Sequence, residues 1–122
     1  MRRRALLVAT LLTAACGQGH APARTIAGAD AERGLAVIRR EGCAACHVVP
    51  GVDWPEGKTG PSLNGFGSSP LIAGRLPNRP DVLAAWLIDP PSLAPGTAMP
   101  PSPLTEAEAR DVAAFLYTLD DR

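Results

Sequence analysis

Apolar residues recur at helical spacing in three stretches of this chain, separated by long segments that carry no period at all. In the first, Leu35 and Ile38 share a face with Gly34, one turn before Ile38. Asp30 stands where it can cap the helix, Glu32 sits in the first turn where a carboxylate suits the dipole, and Gly42 follows Arg39 and Arg40 as a stop. At about three turns such a helix needs a packing partner to be stable. In the second stretch, Val82, Leu83, Trp86 and Leu87 repeat at helical spacing, with Asn78 as the expected cap, Pro80 in the first turn and Asp89-Pro90 as the stop. The third is the best signalled. Thr105-Glu106-Ala107-Glu108 is a capping box, and Val112, Phe115, Leu116 and Leu119 form one stripe.

Between these helices the pattern dissolves. Residues 48–76 are punctuated by Gly51, Gly57, Gly60, Gly65, Gly67 and Gly74 and by frequent prolines. A structureless loop of that length in a small domain implies that it covers something. Pro90 to Pro103 holds six prolines in fourteen residues and predicts a stiffened extended loop, neither helix nor central strand, with Met99 inside it. No strand pattern stands out, so the fold class expected is all-α.

The N-terminus reads differently again. Arg2-Arg3-Arg4 precedes an apolar run from Ala5 to Ala15, the form of an export signal and too short to span a bilayer, which takes about 20 residues. A twin-arginine route fits less well, because it carries proteins that are already folded. Leu12-Thr13-Ala14-Ala15-Cys16 resembles a bacterial lipobox, with Thr13 where leucine is usual, and makes Cys16 a candidate for lipidation; the competing reading is plain cleavage near Ala15. The expected organisation is an export signal over 1–15, a lipidated Cys16 opening a flexible tether over 16–28, and one domain over 29–122. His20 falls in the tether and reads as a solvated linker residue rather than a ligand.

Composition adds two constraints. Charge is balanced at 12 Lys+Arg against 12 Asp+Glu, and without the first fifteen residues the chain carries a small net negative charge. No basic patch speaks for nucleic acid. Aromatic residues make up only 4% of the chain, few anchors for a core unless a large apolar cofactor supplies the missing body.

That cofactor is announced by Cys43-Ala44-Ala45-Cys46-His47. Two thiols at C-x-x-C spacing can each form a thioether with one vinyl group of a porphyrin, and the following histidine is then held as an axial ligand of the iron. Structural zinc would need a fourth ligand, and adjacent Cys46 and His47 are poorly disposed to share one tetrahedral ion. A thioredoxin-like dithiol would need strands that the pattern does not offer. One covalent haem c explains the histidine, the export signal and the sparse core together. For the second axial position there is Met99, the only methionine besides the initiator, on a rigid proline-flanked loop where core packing makes poor sense.

The order C-x-x-C-H, Gly60-Pro61-Ser62-Leu63-Asn64-Gly65, Trp86 in a helix, Gly96-Thr97-Ala98-Met99-Pro100 and a C-terminal helix closely resembles bacterial class I cytochromes c, over about Ala29 to Leu119. The resemblance implies that the terminal helices cross beside the haem, Gly34 and Ile38 meeting Val112 and Phe115. It implies that the Pro61 carbonyl accepts a hydrogen bond from His47. Trp86 would reach a haem propionate or simply pack in the core, and Arg75 is a weaker propionate candidate. The loop Val49–Lys58, with Trp54, departs from the pattern and has no assigned role.

With His47 and Met99 both on the iron there is no open position for a substrate, so the expected activity is electron transfer and not catalysis. The carrier would work in a respiratory-type chain in the periplasm or on the outer face of the cytoplasmic membrane. It would accept electrons from a quinol-oxidising complex or dehydrogenase and pass them to a terminal oxidase or reductase, through small transient contacts. The alternatives are a tethered subunit of a haem–copper oxidase or other redox complex, or a sensor or peroxidase in which Met99 is displaced.

Overall fold

The computed structural model describes residues 24–120. The expected export signal, Cys16 and His20 lie outside the described residues. Among the described residues there are four helices and one short ladder: α1 (Ala31–Glu41), β1 (Leu71–Ile72), β2 (Leu76–Pro77), α2 (Pro80–Ile88), α3 (Pro90–Leu93) and α4 (Glu106–Tyr117). A 3-10 turn at Cys43–Ala45 follows α1, and a second at Phe66–Ser68 breaks the long loop.

The first and last helices begin and end as their sequences require. The Asp30 carboxylate accepts from the Arg33 backbone N–H, and Gly42 closes α1 in the left-handed conformation at φ 69°. In α4 the capping box is complete: the Glu108 N–H donates to the Thr105 hydroxyl and the Thr105 N–H donates to the Glu108 carboxylate.

α1 and α4 then cross, and α2 lies against α4. Gly34, Val37 and Ile38 meet Ala109, Val112, Ala113 and Leu116 in the core. At Gly34 the approach is so close that a Cβ would overlap the Asp111 carbonyl. The crossing is clasped from outside. Arg33 donates to both Asp111 carboxylate oxygens at 2.8 and 2.9 Å, and the Asp30 N–H donates to the same carboxylate at 2.7 Å. Arg40 pairs with Glu108 at 2.8 Å.

Four expectations are revised. Asn78 does not cap α2; Arg79 holds that position with no side-chain bond, and Asn78 is buried. The proline-rich segment is not wholly extended, since Pro90 and Pro91 open the one-turn α3, where their preset φ and missing N–H cost nothing. A small antiparallel ladder pairs Leu71 with Pro77 and Ile72 with Leu76, turning at Ala73 (φ 50°) and Gly74 (φ 70°); the fold remains essentially all helical. The last residues of the expected tether are held on the domain, because Arg24 donates to the carbonyls of Gly67 and Ser69 and lies over the Tyr117 ring.

Candidate functional site

The Cys43–His47 segment is shaped by what precedes it. Gly42 ends α1 in a conformation that turns the chain sharply, and the next residues close a 3-10 turn in which the Cys46 and His47 amides both donate to the Cys43 carbonyl. Both thiols are free and face one cavity, Cys43 half-buried and Cys46 exposed. Burial pushes the Cys43 thiol up, toward its neutral form.

Two glycines let the long loop lie on that turn. The Gly57 N–H donates to the Ala44 carbonyl and the Gly60 N–H to the Cys46 carbonyl at 2.7 Å. A Cβ at Gly57 would strike the Ala45–Cys46 backbone, and one at Gly60 would stand 2.5–3.0 Å from three atoms of the His47 ring. The loop therefore grips the imidazole edge and face. Beyond Gly60 the Pro61 carbonyl lies 2.7 Å from His47 Nδ1. A carbonyl can only accept, so Nδ1 carries the proton and Nε2 is left with a lone pair for a metal. Sequence reasoning named Pro61 for this bond but missed Gly57 and Gly60; their signal was a run of glycines in a segment with no period.

The cavity into which these groups look has a volume of about 660 Å³, within the roughly 300–1,000 Å³ range of small-molecule sites. Its deep wall is apolar: Ile38, Leu83, Leu87, Val112 and Leu116 from the three packed helices, with Phe66 and Ile72 from the loop and ladder. Met99 faces the same space, half-buried. Its loop is held at both ends, by the Thr97 amide on the Ala94 carbonyl and by Ser102, whose amide donates to Ile88 and whose hydroxyl donates to Leu87. Ser102, too, escaped the sequence reading.

Trp86 lines the cavity and is buried, and its indole N–H makes no hydrogen bond to the protein among the described residues. Arg75 is brought nowhere near as far in: it is exposed, beside the lining residues Ala73 and Gly74 but not itself part of the wall. The structure thus gathers Cys43, Cys46, His47, Pro61, Trp86 and Met99 around one space and leaves Arg75 outside it.

The family model for cytochrome c matches residues 31–120. The chain belongs to the cytochrome c family. The cofactor of this cytochrome c domain is one covalent haem c, and its residues fit that group: two unpaired thiols, an imidazole with Nε2 uncommitted, a thioether and an apolar cavity of suitable size. A cytochrome c domain implies haem-based electron transfer. The chain is 36% identical over 90 residues to cytochrome c oxidase subunit 2 of Alkalihalophilus pseudofirmus, covering 73% of this chain and 25% of that protein. It is 33% identical over 93 residues to cytochrome c oxidase subunit 2 of Bacillus sp. strain PS3, covering 73% and 26%. The cytochrome c domain thus spans about a quarter of the length of these curated relatives. Among solved structures, SoxXA from P. pantotrophus superposes with a TM-score of 0.60 at 24% identity, covering 78% of this chain and 85% of that one, a likeness of fold.

Proposed function

We propose that the protein is a one-electron carrier outside the cytoplasm, in which Cys43 and Cys46 would hold the haem through thioethers, His47 and Met99 would hold its iron and Trp86 would donate to a propionate. The bound haem supplies a single iron that exchanges one electron between Fe(II) and Fe(III). The observation that carries the reading is the commitment of His47 Nδ1 to Pro61 while Met99 looks into the same cavity. His47 holds its ring fixed and its Nε2 basic, because the Pro61 carbonyl draws on the far N–H. Met99 is presented by a segment braced at Ala94 and at Ser102, which would keep its sulfur in place toward the iron. The apolar helical wall excludes water and favours the less charged state of the site.

The leader and Cys16 support export, with lipid anchoring on the outer face of the cytoplasmic membrane. Donor and acceptor would be redox proteins such as a quinol-oxidising complex or dehydrogenase and a terminal oxidase or reductase. A second reading draws on the oxidase subunits that the domain resembles in part: the domain delivers electrons to a haem–copper oxidase as a tethered piece of that complex.

Mass spectrometry of exported protein is expected to show one haem added covalently, and an unmodified mass would end the reading. The oxidised protein is expected to show the red-edge charge-transfer band of sulfur on iron, absent in Met99→Ala. Rapid CO binding by the reduced wild type would instead favour a sensor.

A further inference from the structure

No Asp, Glu, Lys or Arg lines the cavity among the described residues, although 20% of the chain is charged. Deep in the wall that is ordinary. At the outer lip it is not, because there the lining residues are exposed: Ser62, Asn64, Leu71, Ala73, Ala98 and Pro100. Leu71 is one of the few large apolar residues the domain leaves open, at 42% exposure. Charge is instead paired between positions of α1 and α4 that do not line the cavity, Arg33 with Asp111 and Arg40 with Glu41 and Glu108. Lys58 and Arg75 are the cations that stand one residue beyond an exposed lining position, Thr59 and Gly74.

An electron leaves a buried cofactor most readily where its pocket opens, so a partner must cover this lip. Covering it removes water from both faces. A charged group of the partner set against the lip would lose its hydration and find no opposite charge to replace it. An uncharged, partly apolar surface loses little and gains the burial of Leu71, Ala98 and Pro100.

We propose that the lip formed by Ser62, Asn64, Leu71, Ala73, Ala98 and Pro100 docks a redox partner whose own facing surface is uncharged and partly apolar. The proposal rests on the electron-carrier reading. Its kinetic consequence is association without steering, in the range of about 10⁵–10⁶ M⁻¹s⁻¹, and electron transfer that is nearly indifferent to salt.

The test uses the haem-loaded protein on gold electrodes coated with mixed methyl/hydroxyl, carboxylate or amine monolayers, reading adsorbed mass and electron exchange separately. Adsorption and exchange are expected on the methyl/hydroxyl layer, changing less than about twofold between about 0.01 M and about 1 M NaCl, over which the screening length falls from about 30 Å to about 3 Å. Leu71→Asp and the near-isosteric Asn64→Asp are expected to slow exchange there about tenfold. Exchange confined to the carboxylate layer and lost with salt would overturn the proposal in favour of steering by Lys58 and Arg75. Exchange confined to the amine layer, or on no layer while a mediated titration still shows a one-electron couple, would also overturn it. A dimer in solution that hides the lip would give the face to a second copy of the chain. Absence of the couple itself would end the electron-carrier reading instead.

Discussion

Gly60 lies flat against the imidazole of His47, so close that a Cβ would stand 2.5–3.0 Å from Cε1, Nδ1 and Nε2 of the ring. Glycine at 60 is thus part of the device that aims His47, together with the Pro61 carbonyl on the other side of the same turn. Gly60→Ala is expected to tilt the ring off Pro61 and to cost about 1–3 kcal/mol, the usual range for overpacking. NMR of the His47 Nδ1–H reads the bond directly. An unshifted resonance in the variant would remove Gly60 from this role.

Gly34 plays the corresponding part at the helix crossing. Ala in a helix interior gains about 1 kcal/mol over Gly in propensity, yet here the added methyl overlaps the Asp111 carbonyl. Overlap should win, since backbone on both sides cannot give way cheaply. Gly34→Ala is expected to lose about 2 kcal/mol or more net, seen as a lower denaturant midpoint at unchanged slope. A stabilised variant would mean the helices slide apart at little cost.

Asn78 is the buried joint between the cavity wall and α4. Its amide donates to the Ser69 carbonyl at 2.9 Å, and its oxygen accepts from the Tyr117 hydroxyl at 3.1 Å. Asn78→Ala strands both partners and is expected to cost about 2–4 kcal/mol, whereas Tyr117→Phe removes one bond and about 1 kcal/mol. The double variant should be less than additive. Strict additivity would show that the two side chains act independently.

Acid should loosen the same crossing. The Arg33 guanidinium holds the Asp111 carboxyl below the usual carboxylate range, against an opposing push from burial. A folded value below the unfolded one, near about 3.9, means the stabilisation is complete above that pH and is lost as pH falls through the lower folded value. Asp111→Asn is expected to be less stable at neutral pH and to lose less on acidification. Urea unfolding at stepwise lower pH measures both slopes, and parallel slopes would exclude Asp111 as the source.

Much of this was legible in one dimension because it depends on neighbours in the chain. The caps at Asp30, Gly42 and Thr105–Glu108 satisfy backbone groups within a turn of themselves, so sequence spacing states them fully. The same holds for the backbone of C-x-x-C-H, which a single local turn brings together, although the aim of the His47 ring also needs Gly60 and Pro61.

Asn78 was misread for the opposite reason. By sequence it is a good cap, but a buried amide with Ser69 and Tyr117 within reach outweighs a bond that the exposed start of α2 can leave to water. α3 and the Leu71–Leu76 ladder are too short to carry a period, and Arg24 is ordered by partners more than forty residues away. The sequence alone determined α1, α2 and α4, the caps at Asp30, Gly42 and Thr105–Glu108, and the C-x-x-C-H turn, all set by contacts within a few residues, and named the candidate ligands. Only the tertiary structure decided which glycines touch His47 and Asp111, where Asn78 bonds, that Trp86 faces the cavity while Arg75 does not, and that the cavity's lip is uncharged. Those depend on which distant segments meet in space, and spacing along a chain carries no record of that.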